Sequence, residues 1–157
     1  MGRRLSLVAL ALAGIAASVV VPLTAFANDE HRIVIGVRYD LNPGPPLTGA
    51  GTWSACCAIN DSGATHAVVH VTGVKNDFAT IEGTHTFGSA AGTFTDHFTG
   101  TLGPLSSPRE IAEGHWTIVS GTGAYADARG SGTFTVEVDG QTGTATGAHE
   151  GQVTFTR

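Results

Sequence analysis

Beyond residue 28 the chain shows almost no helical periodicity. Short runs rich in Val, Ile, Phe and Thr recur at close intervals, and each ends in Gly, Asp, Asn or Pro. Several short strands at regular spacing are the mark of an all-β sandwich or barrel. Strands are predicted near 32–40, 52–59, 64–75, 78–88, 93–102, 112–120, 129–139 and 142–156. Asn42-Pro-Gly-Pro-Pro46 predicts a long first loop, and Ser106-Ser-Pro108 marks another. The prolines fall between runs, as strand ladders require. Closing such a sheet removes its edges. The expected fold is therefore a single closed antiparallel eight-stranded β-barrel over 28–157.

The segment before it has a different character. Arg3 and Arg4 precede an almost unbroken apolar run from Leu5 to Val21. Pro22 follows, and then Ala25-Phe26-Ala27. This order is that of a secretory signal peptide, residues 1–27, cut after Ala27. The rival reading is an uncut membrane anchor. Cleavage removes two arginines and no acid, taking the formal charge from −5 to −7. An acidic chain whose remaining cations are Lys75 and five arginines is unsuited to nucleic acid, which needs clustered cations. It is equally unsuited to anionic membranes, so no membrane partner is expected of the mature form. Low charge with abundant Gly and Thr indicates a compact β-rich protein.

Turn chemistry predicts registers. Asp139-Gly140 suits a two-residue type I′ hairpin, which sets Phe134 opposite Ala145 and Val136 opposite Gly143. Thr133, Thr135, Glu137, Thr144 and Thr146 then form a solvated face. A second hairpin turns through Ser89-Ala-Ala-Gly92. Matching its apolar faces sets Phe87 opposite Phe94, and His85 falls opposite Asp96, both on the inward side.

That pair is the most specific polar constellation in the sequence. A carboxylate beside an imidazole can hold one tautomer for acid–base work, or it can satisfy two buried polar groups. His85 and Asp96 are thus the candidate catalytic residues. His149 shares the inward parity of Val153 and Phe155. With Phe94, Phe98, Phe134 and Trp116 it makes up the candidate ligand-binding set. Trp53, Trp116, Tyr39 and Tyr125 are expected to plug the barrel or cap its ends. His66 and His70 share one parity, but Ala67, Val69 and Val71 on the other make the better core, so the histidines are read as outward. No metal site and no cofactor is assigned. Cys56 and Cys57 are adjacent, so on a strand one thiol is expected buried and the other exposed, with a strained vicinal disulfide or an intermolecular link as the alternatives. Gly121-x-Gly123-x-x-Ala126 mimics a dinucleotide fingerprint, but another strand follows where that site needs a helix. Its glycines are read as a tight corner.

This same stretch, Ile118-Val-Ser-Gly-Thr-Gly-Ala-Tyr-Ala-Asp-Ala-Arg-Gly130, resembles the corner motif of the allene oxide cyclase-like barrels. These include plant dirigent proteins and many small secreted bacterial proteins. The resemblance is confined to that corner; elsewhere only the strand number agrees. It implies an eight-stranded barrel, and in characterised members a cyclase or stereochemistry-guiding role on apolar molecules held inside. Their catalytic residues are not placed on this sequence, so no activity is carried over. Avidin-like and lipocalin-like barrels are the fold-level rivals. An eight-stranded barrel encloses room for packed side chains or one small ligand. Three readings follow: a secreted protein holding a small apolar molecule, a cyclase or isomerase acting on one, or a filled barrel with a surface interaction role. An internal pocket separates the first two from the third.

Overall fold

The computed structural model describes residues 31–155. The signal-peptide segment lies outside them. Eight strands run in order: β1 (Arg32–Asn42), β2 (Leu47–Cys57), β3 (Asp61–Lys75), β4 (Phe78–Ser89), β5 (Gly92–Gly103), β6 (Arg109–Gly121), β7 (Arg129–Asp139) and β8 (Thr144–Thr154). Each pairs antiparallel with the next, and β8 pairs with β1 to close the barrel. A single 3₁₀ turn, Gly123–Tyr125, makes the corner between β6 and β7.

Alternation sorts the side chains. Ile33, Ile35, Val37 and Tyr39 of β1 point inward, as do Phe94, Asp96 and Phe98 of β5 and Phe134 and Val136 of β7. The rings fit because glycines face them. Tyr39 pairs with Gly51, Trp53 with Gly63, Phe98 with Gly83, Phe94 with Gly121, Trp116 with Gly132 and Phe134 with Gly114. A glycine leaves the neighbouring strand without a side chain where a ring must lie. At Gly132 the strands are also close: an added Cβ would sit 1.9 Å from the Glu150 carbonyl oxygen and 2.6 Å from the Gly151 Cα.

Four sequence expectations need correction. The β7–β8 turn is a four-residue loop, not a two-residue one. Asp139 Oδ1 accepts hydrogen bonds from the backbone N–H groups of Gln141 (2.9 Å) and Thr142 (3.1 Å), and Gly143 turns at φ +67°. Phe134 therefore faces His149, and Val136 faces Gly147. The slip is by four residues, an even number, so every residue keeps its predicted face. The first loop is also shorter than expected, because β2 begins at Leu47. Val71 is exposed, since the β3–β4 ladder breaks register between Val71 and Gly73 and its hairpin carries Val71, Val74 and Phe78 into solvent. Both cysteines are exposed free thiols. Cys57 adopts φ +86°, which turns its side chain beside that of Cys56, with 2.6 Å between the sulfurs.

Replacing Gly132 with alanine is expected to destabilise the barrel by about 1–3 kcal/mol, the usual cost of overpacking. Gly73→Ala, which meets nothing within 4 Å, serves as the near-neutral control. Urea unfolding of the two variants tests this, and equal midpoints would show that the strands yield easily at Gly132.

Candidate functional site

The two halves of the barrel are built differently. The half nearest the β6–β7 corner is filled with rings. Phe87 stacks on Phe94 at 4.7 Å, and Trp53 meets the edges of both. Tyr125 seals this end against Phe94 and Phe155. Its hydroxyl donates to Asp61 Oδ2, which also accepts from Ser89 Oγ at 2.6 Å. The Ser89 and Tyr125 hydroxyls hold the Asp61 carboxyl below its ordinary value. Burial, and then the Asp61 contact, push the Tyr125 phenol up to about 12. The corner is tied down further by Thr93, whose backbone N–H donates to Thr122 Oγ1 at 3.0 Å. A hollow of about 590 Å³ lies outside this closed end, lined by Ala58, Asp61, Ala124 and Asp127 among others. None of the inward polar residues lines it.

The other half is open. A cavity of about 60 Å³ is lined by Tyr39, Leu41, Leu47, Ala67, Ile81, Leu102, Val136, Val138 and Ala145, with His85, Phe98 and Phe134 among its buried walls. The Tyr39 hydroxyl shares a hydrogen with Thr65 Oγ1 at 3.3 Å, and Thr65 in turn donates to the Thr86 carbonyl. Burial pushes the Tyr39 phenol well above its ordinary value. Its polar atom is therefore a satisfied neutral hydroxyl.

His85 and Asp96 sit opposite each other on β4 and β5, as the hairpin register predicts. His85 Nδ1 lies 2.9 Å from Asp96 Oδ1, and the same oxygen accepts the His85 backbone N–H at 3.2 Å. An ionised carboxylate only accepts, so it takes the Nδ1–H tautomer and leaves Nε2 with the lone pair. Phe98 stacks on the His85 ring at 4.3 Å. Of the candidate catalytic and ligand-binding residues, His85, Phe98 and Phe134 line the cavity, and Tyr39, expected as a plug or cap, joins them. Phe94 belongs to the filled half. Trp116 lies beside His149, its indole N–H given to the Thr133 carbonyl at 3.0 Å. His66 and His70 face solvent.

His149 lies behind the cavity wall, fully buried. Its ring meets His85 edge-on at 4.7 Å and stacks on Phe134. Burial, with a smaller contribution from nearby His85, holds its pKa well below the ordinary histidine value. Neither ring nitrogen has a protein hydrogen-bond partner, and an unpaired buried polar group costs about 1–3 kcal/mol.

Sequence reasoning missed most of the rim: Leu41, Leu47, Leu102 and Val138 carry the inward parity but nothing that separates a cavity wall from a packed core. It also missed the Asp61–Ser89–Tyr125 cluster, because its members lie far apart in the chain and meet only once the barrel end is closed. Compared with known protein families, curated proteins and solved structures, the chain matches none.

The closed end gives a prediction. An aspartate with a lowered pKa adds stability above its unfolded value, near pH 4, and that stability is lost as acidification passes its folded value. Tyr125→Phe removes one of the two hydroxyl donors, so Asp61 is expected to titrate closer to its ordinary value. The pH dependence of stability below about pH 4 should become shallower. Carboxyl-carbon NMR titration reads the first effect and acid unfolding the second; an unmoved Asp61 curve would remove Tyr125 from the network.

Proposed function

We propose that this is an exported barrel protein that holds a small apolar molecule in the open half of its barrel. The observation that carries this reading is the cavity itself, apolar on nearly every side, with His85 at its wall. Water needs two to four polar partners and about 10–15 Å³ by this measure. The cavity has the volume for a few waters but offers them few partners. An apolar ring or short branched chain suits it better, with the rest of the molecule emerging past Leu41, Leu47 and Val138. An apolar lining with few polar groups is the usual character of small-molecule sites, and at about 60 Å³ this cavity admits only the end of such a molecule.

Export is supported by the order Arg3, Arg4, apolar run, Ala25-Phe26-Ala27. Kinship with the allene oxide cyclase-like barrels is supported by the segment 118–130 and by the strand number. In this chain that segment forms the closed end, with Tyr125 as its buried plug. A second reading, a cyclase or isomerase, is favoured by one observation, the 2.9 Å His85–Asp96 contact at the cavity.

Native mass spectrometry of protein taken from its own secretion medium is expected to show a bound small molecule and a chain beginning at Asn28. Leu102→Trp fills the cavity from a partly buried wall position. It should weaken binding of the identified molecule, or of an apolar fluorophore, at least about tenfold (about 1.4 kcal/mol) while the barrel stays folded. Equal binding by the variant places the ligand elsewhere and ends the reading. His85→Phe separates the two roles: lost turnover with binding retained supports an enzyme, and unchanged turnover removes His85 from any chemistry.

A further inference from the structure

The inward polar residues of this barrel converge. His85 on β4, Asp96 on β5 and His149 on β8 are all buried, and one potential ligand atom from each lies within 4.8 Å of the others. In an eight-stranded barrel closed in sequence order, β8 stands across the axis from β4. Asp96 reaches His85 from the neighbouring strand through the β4–β5 hairpin register. One hairpin and one strand distant from it in sequence thus bring donor atoms within 4.8 Å of one another beside the cavity.

We infer that His85, Asp96 and His149 bind a divalent first-row transition-metal ion of the zinc class. Two imidazoles and one carboxylate form a ligand set typical of three-residue zinc sites, whose fourth position is left to water or substrate. Calcium and magnesium prefer all-oxygen shells and are poorly matched. Tetrahedral coordination at 2.0–2.2 Å sets donor atoms roughly 3–3.5 Å apart. The 2.9 Å contact between His85 Nδ1 and Asp96 Oδ1 carries a proton, which ligation by Nδ1 would move to Nε2, and the three donor atoms already lie within 4.8 Å of one another.

Two further observations point to a bound cation. His149 is fully buried, and no protein group satisfies either of its ring nitrogens. A neutral imidazole in that state presents the lone pair that a metal takes. Asp96 is a buried carboxylate hydrogen-bonded by the His85 imidazole, and no lysine or arginine among the described residues pairs with it. A divalent ion supplies the missing positive charge. Phe98 against His85 and Phe134 against His149 hold the two rings in place, a rigid apolar shell of the kind that tunes metal sites. Because His85 also lines the cavity, the remaining coordination position would adjoin it. The inference stands on the three side chains and does not require the apolar-ligand reading.

The test uses the mature chain with Cys56→Ser and Cys57→Ser, so that the exposed thiols do not capture metal. After removal of metal with a chelator, calorimetric titration with Zn²⁺ is expected to give one ion per chain. Co²⁺ is expected to give the visible absorption of a four-coordinate site, and Zn²⁺ to raise the melting temperature. His149→Phe, which keeps the ring shape, should lower Zn²⁺ affinity at least about a hundredfold and abolish the thermal shift. Asp96→Asn, which keeps an acceptor for His85, should lower affinity at least about tenfold. His66→Gln with His70→Gln should change nothing. The inference fails if the parent binds no stoichiometric Zn²⁺, or if His149→Phe binds as well as the parent. It also fails if affinity follows the outward histidines instead. A folded His149→Phe variant that is more stable than the metal-free parent, beside a parent that ignores Zn²⁺, would mark His149 as only a buried polar cost. Since no ligand enters this experiment, its failure leaves the apolar-ligand proposal standing, and the reverse also holds.

Discussion

The interior of this barrel is set by a ring facing a missing side chain. An eight-stranded cylinder has just enough room for its own inward residues. Most of the bulky rings enter where the adjacent strand gives way, with Phe87, set between Thr65 and Phe94, as an exception. Six aromatic residues meet that condition by standing opposite glycine: Tyr39, Trp53, Phe94, Phe98, Trp116 and Phe134. Each ring gains burial, and each glycine lets the sheet coil tightly around the ring. The closed half follows from this, because Trp53, Phe87, Phe94 and Tyr125 crowd there. The open half follows as well, because beyond Tyr39, Phe98 and Phe134 its walls are aliphatic or alanine and leave space beside His85.

The same constraint gives meaning to the inward polar groups. In the interior of the cylinder, away from solvent, a polar side chain on the inward parity needs a partner supplied by geometry. Tyr39 finds Thr65, Trp116 finds the Thr133 carbonyl, and His85 finds Asp96. His149 finds none among the protein groups. The exception lies next to the strongest polar pair in the core, which is where an unmet requirement is most informative.

Much of the architecture was legible because side-chain alternation has a period of two and survives errors of position. The β7–β8 turn shows how. Asp139-Gly140 reads as a tight hairpin, yet the Asp139 carboxylate caps a longer loop. The register moves by four and every face is preserved. The β4–β5 register could be read directly, since a match of Phe87 with Phe94 leaves one choice for His85. Departures came where backbone dihedrals, not patterning, decide: Cys57 at positive φ, and the broken ladder beyond Val71. The site was only half legible. Parity turned His85, Asp96 and His149 inward, but it carries no information on which end of the cylinder is filled. Phe94 and Phe98 differ in role for that reason, although they lie on one strand and share one face.

Connectivity in strict sequence order has a kinetic side. Seven of the eight pairings join consecutive strands through short turns and close small loops. The eighth joins β1 to β8, with Arg32 set against Gln152, so its loop spans nearly the whole described chain. The entropy of loop closure rises with the logarithm of length, and non-local pairings form late. The hairpins can zip one after another, whereas the cylinder exists only once this seam is made. On loop entropy the seam is therefore the pairing expected to form last. His149, carried on β8, takes its place across from His85 only at that final moment.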